Sequence, residues 1–225
     1  MTPRARLARL FAGVLLLVGL SPSASAEPVL VDRTVVRFSA PELGGPRSPR
    51  FITARALALE ARLEALADPD RTPGVAYRER HLSAALERHV AEALLANLRI
   101  EPEPTPDELR AQTEAARRLV EERAGGAEAV ADAARAEGIG QRELVELFQR
   151  QARASLYLDR MVAPMLSPSD AELRVLFRNE RTPFRDAPFE TVLPGLRRWY
   201  VSTRLQAALA AYYQNARSRL RIVFL

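Results

Sequence analysis

The stretch Tyr77–Arg99, Y-R-E-R-H-L-S-A-A-L-E-R-H-V-A-E-A-L-L-A-N-L-R, decides the fold. Leu82, Leu86, Val90, Leu94 and Leu98 recur every four residues in it, and Ala85, Ala93 and Leu95 widen the row. Residues four apart stand nearly above one another on a helix that turns every ~3.6 residues, so the row is one apolar face. A helix with one such face is stable only when the face is buried against a neighbour, so the helices flanking this one should carry matching stripes.

They do. On the N-terminal side Leu59, Leu63 and Leu66 form a shorter stripe, closed by Asp68-Pro69-Asp70 and Pro73-Gly74. On the C-terminal side Pro102 and Pro104 break the central helix. Thr105-Pro106-Asp107-Glu108 then supplies an N-cap Thr, a Pro at the first helical position and a Glu at the third. Leu109, Ala116, Leu119 and Val120 give that helix its apolar face, and Gly125-Gly126 stops it. A short helix to Glu137 follows, closed by Gly138. Gln141–Val162 predicts another long helix, with Leu144, Leu147, Phe148, Leu158, Met161 and Val162 turned inward. Ser167-Pro168-Ser169-Asp170 opens a helix through Phe177. A last long helix runs from Val192 or Pro194 to Ala216, carrying Leu196, Tyr200, Leu205, Leu209 and Tyr212 or Tyr213.

The two ends read differently. Val29–Phe38 (V-L-V-D-R-T-V-V-R-F) is Val-rich and free of Pro and Gly, which suits a strand. Ser39–Pro49 is rich in Pro and Gly and reads as a turn. Phe51-Ile52-Thr53 is a second extended piece whose Thr53 can cap the next helix. At the far end Arg217, Arg219, Arg221 and Val223 alternate with Leu220, Ile222 and Phe224. That is period two, a strand with one buried face whose natural mate is the strand at Val29–Phe38. The expected architecture is mainly α, a multi-helix lobe with a small β element pairing the N- and C-terminal strands.

Ahead of this lobe lies an export signature. Arg4, Arg6 and Arg9 precede the apolar run Leu10–Leu20, and Ala24-Ser25-Ala26 has the small-residue form that a signal peptidase accepts. As a helix that run would rise about 16 Å, roughly half a hydrocarbon core, so a stable membrane span is not expected. Residues 1–26 read as a signal peptide cleaved after Ala26, so the mature chain is expected to begin at Glu27 and to be soluble outside the cytoplasm.

Composition narrows the chemistry. The 225 residues include 33 basic and 28 acidic side chains and two His, with no Cys and no Lys. Thiol nucleophiles, disulfides, Schiff bases and a phosphate-loop lysine are therefore excluded. His81 and His89 stand two helical turns apart, too far to share one metal directly, and no H-E-x-x-H or G-x-S-x-G pattern occurs. No catalytic, metal-ligating or cofactor-binding residue is expected, and the protein reads as a non-enzyme. From Thr191 onward there are six Arg and no acidic residue. Such an end can attract acidic polypeptide or anionic lipid, or simply complement the mildly acidic body it packs on, while the nearly neutral balance of an exported chain does not suit a nucleic-acid binder.

The order of elements resembles the N-terminal chaperone region of the SurA family of periplasmic folding factors. The likeness rests on Val29–Phe38, on Phe51–Leu57 (F-I-T-A-R-A-L) and on the Leu-rich Leu86–Leu95. It continues through Ile100–Leu109 (I-E-P-E-P-T-P-D-E-L), Gly138-Ile139 leading to Phe148, and Leu166–Leu173 (L-S-P-S-D-A-E-L). Many members of that family insert a parvulin-type prolyl isomerase domain after the helical bundle. Only about twenty residues separate Leu173 from Leu193 here, too few for a domain of about a hundred residues. The resemblance thus implies one chaperone domain over residues 27–225. Its parts are strands and loop (27–53), helical core (54–178), a linker in place of the isomerase (179–190), and a C-terminal helix and strand (191–225).

The implied activity is that of an ATP-independent holdase for unfolded polypeptides, outer-membrane proteins foremost, without isomerase activity or cofactor. Phe148, Met161, Met165, Phe184, Phe189 and Trp199 are its candidate polypeptide-binding residues, since Met and aromatic side chains adapt to varied partners. The alternative is a non-catalytic envelope adaptor that binds one dedicated partner.

Overall fold

The computed structural model describes residues 32–225; the expected signal peptide and residues 27–31 lie outside them. Three strands and seven α-helices follow in chain order among the described residues. Strand β1 (Thr34–Ser39) leads through two short 3₁₀ turns to β2 (Arg50–Thr53), which runs directly into α1 (Ala54–Ala67). Thr53 makes that junction: its backbone ends the strand and its Oγ1 accepts the Ala56 N–H at 3.4 Å. Then come α2 (Glu79–Ala96), α3 (Pro106–Ala124), α4 (Ala127–Ala136) and α5 (Gln141–Tyr157). A π-helical segment and a 3₁₀ turn link α5 to α6 (Asp170–Asn179), α7 (Phe189–Arg217) and β3 (Arg221–Phe224).

The caps read in the sequence are in place. Thr105 accepts the Glu108 N–H while the Glu108 carboxylate accepts the Thr105 N–H at 2.8 Å, and Gly125 ends α3 at φ +92°. Ser169 and Glu172 repeat the device at α6. Helix α2 is trimmed at both ends relative to the expected Tyr77–Arg99, and two further boundaries differ. The last turn of the expected Gln141–Val162 helix widens into a π segment at Leu158–Val162. Helix α7 starts at Phe189, earlier than either predicted start, and carries Pro194 inside it. An exposed proline near a helix start costs little, because the carbonyl it leaves unpaired can turn to water.

Two apolar clusters hold these elements. Leu59, Leu63, Val130, Ile139, Leu147 and Phe148 pack α1, α4 and α5 together, with Val120 of α3 against them. Val36, Phe38, Ile52, Val90 and Leu94 pack the sheet on α2, with Ala216 at the end of α7 closing the cluster. The sheet is antiparallel in the order β2-β1-β3, so the chain's last strand does pair with its first described one, Phe224 opposite Val36 and Ile222 opposite Phe38.

The expected buried face of that last strand is not buried. All of Arg221–Phe224 is exposed, Phe224 by 71%. The reason is lateral position. The cluster beneath the sheet is built on β1, β2 and α2, and among the described residues the C-terminal segment reaches it through Tyr212 and Ala216 of α7 and Leu220 just after it, so β3 overhangs the core. No described helix is long and apolar enough to cross a membrane.

Candidate functional site

A cleft of about 700 Å³ opens where β2, α1, α2 and α5 meet. Its apolar wall is built from Phe38, Ile52, Leu59 and Leu147, with Phe51, 54% exposed, at the rim. Arg50, Glu143, Gln149 and Arg153 ring the mouth. A second recess of about 640 Å³ between α3 and α5 is lined by Leu109, Thr113 and Val145 and also by Gln149 and Arg153, so the two adjoin along α5. Arg153 anchors the boundary, its Nε donating to the Ala96 carbonyl at 2.6 Å and its Nη1 to Glu103 at 3.3 Å.

Deep in the cleft lies a charged network from three helices. Glu60 follows Leu59 on α1, His89 precedes Val90 on α2, and Arg150 stands one turn beyond Leu147 on α5, so each apolar stripe delivers one polar side chain to the same place. Arg150 Nη2 donates to Glu60 Oε1 at 2.7 Å, His89 Nδ1 donates to the same oxygen at 2.8 Å, and Arg150 Nε donates to Glu92 Oε2 at 3.1 Å. The His89 ring stands edge-on to Phe38 at 6.2 Å, joining network to apolar wall.

Burial and charge act oppositely on the two carboxyls. For Glu60, burial pushes the carboxyl up, but the Arg150 charge and the His89 hydrogen bond more than offset this and hold it below the ordinary value. Among the described residues Glu92 has only Arg150 as a hydrogen-bond partner; burial dominates, the neighbouring Glu60 charge adds to it, and its carboxyl rises to about 7. Arg150 is held up by its two carboxylates against the opposing effect of burial. The Arg150 guanidinium between two carboxylates ties α1, α2 and α5 together, and removing it would leave Glu60 and Glu92 buried without a counter-charge. No group of three or more His, Cys, Asp or Glu among the described residues is placed to hold a metal ion.

None of the six side chains selected from the sequence lines this cleft. Phe148 is a core residue of the cluster on α5, enclosed on all sides. Met161 is half-buried in the π segment, and Met165 is exposed on the 3₁₀ turn that follows. The other three gather around α6 and α7. Phe189 packs edge-on against Phe177 at 5.6 Å with the Arg174 guanidinium 5.0 Å above its ring, and Phe184 lies against Gly195, where a Cβ would stand 3.2 Å from the phenyl ring. Trp199 is half-buried on the next turn of α7.

Sequence reading passed over Glu60, Glu92 and Arg150 and set His89 aside. The signal was present: Arg150 interrupts the α5 stripe between Leu147 and Ala154, and Glu60 sits between Leu59 and Leu63. A charge inside an apolar stripe asks for a buried partner.

No protein-family model matches the chain, and neither does any curated protein or solved structure.

Proposed function

We propose that this chain is an ATP-independent holdase of the SurA type, acting in the periplasm on unfolded polypeptides, outer-membrane proteins foremost, without a chemical step and without a cofactor. The observation that supports it is the cleft where β2, α1, α2 and α5 meet. An aliphatic and aromatic wall takes apolar side chains of an extended segment, while Arg50, Glu143, Gln149 and Arg153 around the mouth offer donors and acceptors to its main chain. Such a site reads side-chain class rather than sequence, which suits varied clients. The direct passage from α6 to α7, across only Glu180–Pro188, agrees with a holdase that has no inserted isomerase domain.

The test is aggregation of a urea-diluted outer-membrane barrel and of an unrelated unfolded soluble protein, followed by light scattering with stoichiometric additions of this protein. Suppression of both, or of the barrel preferentially, is the expected result. Two flat responses would overturn the reading, and a response confined to one polypeptide would replace it with the single-partner adaptor. A standard Xaa-Pro peptide should isomerise at its uncatalysed rate; acceleration would contradict the absence of a chemical step.

A further inference from the structure

The outer strand of the sheet presents backbone and side chains that the fold leaves unused. Leu225 N–H donates to the Val35 carbonyl at 3.0 Å, and Val223 stands opposite Arg37 in the same register. Hydrogen-bonding direction alternates along a strand, so Arg221, Val223 and Leu225 face β1, while the N–H and C=O of Ile222 and Phe224 face away from it. Strand β3 is the last in the order β2-β1-β3, so these outward groups have no strand partner among the described residues.

The side chains around that edge are apolar and cationic. Of the exposed large apolar side chains among the described residues, half belong to β2, β3 and the residue after it: Phe51, Ile222, Val223, Phe224 and Leu225. On the outer face Phe51, Arg37 and Val223 stand side by side across the three strands. Arg33, Arg37 and Arg221 are exposed there, and no acidic side chain among the described residues pairs with them. Arg217 and Arg219, just before β3, have acidic partners, Glu87 and Glu42, and so add no unneutralised charge at this edge.

The geometry points to strand addition: the free edge of β3 takes an extended, acidic polypeptide segment with apolar residues at alternate positions. This rests on the polypeptide-binding reading above and adds to the cleft a second contact of different character. Three features select the occupant. The outward N–H and C=O groups match another strand, whereas lipid offers them no partners. The apolar side chains on both faces of β3 match those of an alternating segment. Three arginines without acidic partners favour carboxylates and disfavour a second copy, which would bring the same charges to the joined sheet.

The experiment uses the purified full chain and a fluorescent synthetic peptide alternating Glu with Val and Phe, beside its Lys-for-Glu counterpart. Anisotropy should show the acidic peptide binding at least about tenfold more tightly than the basic one. Hydrogen exchange should show the Ile222 and Phe224 amides protected by the peptide, with Val223 and Leu225 little changed.

Phe224→Pro, which removes an outward N–H and no bond to β1, should weaken binding about tenfold beyond Phe224→Ala, which removes only the ring. If Phe224→Pro does not fold, the exchange pattern in the unaltered protein decides. Equal binding of both peptides, or protection confined to the cleft, would overturn the proposal. So would displacement of the peptide by phosphatidylglycerol vesicles without amide protection, or a dimer that dissociates on peptide binding. The light-scattering test is independent: suppression of aggregation without protection at β3 leaves the holdase reading standing and removes this one, and the converse removes the holdase alone.

Discussion

Helices α1–α5 and the segment from α6 to β3 are written in the same alphabet of Leu, Ala, Arg and Glu, yet they end up with different interiors. In the first region Leu59, Leu94 and Ala152 are almost wholly enclosed, and even the charges of Glu60 and Arg150 are drawn inside. In the second, among the described residues from Ser167 onward, the buried aliphatic side chains are Pro168, Leu173, Leu196 and Ala216. Between Leu196 and Ala216, Val201, Leu205, Leu209 and Tyr212 are only half-buried. Helix α7 is 29 residues long, about 43 Å, and is gripped near its ends, by α6 and the 3₁₀ turn at one and by the cluster under the sheet at the other. The difference teaches that an apolar stripe is only half of a contact. Stripes on α1, α2 and α5 face one another, whereas the middle of α7 faces no stripe of equal width among the described residues.

The comparison is most exposed at Leu94. This side chain is fully buried in the cluster that joins the sheet to α2, and Leu94→Ala should cost about 4 kcal/mol of global stability. Urea unfolding would measure it. A loss below about 1 kcal/mol would mean that this region relaxes around a cavity as readily as the C-terminal one, erasing the contrast.

The next largest effect is electrostatic and belongs to the first region alone. Glu92 has a folded-state value of about 7 against an ordinary 4.5, because burial and the Glu60 charge outweigh Arg150. The folded chain therefore binds this proton more tightly than the unfolded chain, and stability falls as pH rises from about 4.5 to about 7. The loss amounts to roughly 3 kcal/mol and is complete above that window. Glu60 is shifted the other way, so its contribution is already complete above the ordinary carboxylate range. Unfolding midpoints of the wild type should therefore drop between pH 5 and pH 8, and those of Glu92→Gln should lack this drop. Parallel profiles for the two proteins would show that the network is solvated in the way the C-terminal segment is.

Local chemistry explains what could be read in advance. Thr105 with Glu108, Ser169 with Glu172, and Thr53 at the end of β2 announce helix starts, because a cap is decided within four residues. Period two from Leu220 to Phe224 correctly gave a strand and its mate β1. It could not give the strand's exposure, since that depends on whether a helix lies beneath, and α2 reaches only as far as β1 and β2. The early start of α7 escaped for the opposite reason: Pro194 looks like a boundary, but tertiary packing of Phe189 on Phe177 carries the helix back past it. The charged network in the cleft needed the register of three helices at once, and Phe148, expected to turn inward on its helix and also offered for polypeptide binding, belongs to the core those helices form.

The smallest effect tests whether the two regions melt together. Leu196 is fully buried near the first turns of α7, on the side that meets α6, and Leu196→Ala removes one of the few enclosed side chains there. Neighbours that are themselves half-buried can move in to fill the space, so the cost should lie at the low end for such a change, about 2 kcal/mol. It should also be spent locally. Hydrogen exchange is the suitable readout, because it reports sub-global opening that a single melting curve averages away. Amides of α6 and of α7 should exchange faster in the variant while those of α2 and α5 keep their wild-type rates. Equal acceleration throughout would mean that the grip at the ends of α7 couples it fully to the core, making the two regions one cooperative unit despite their different interiors. Confinement to α6 and α7 would instead leave β3 held by its ladder to β1 while the long helix behind it opens, keeping the free strand edge available independently of α7.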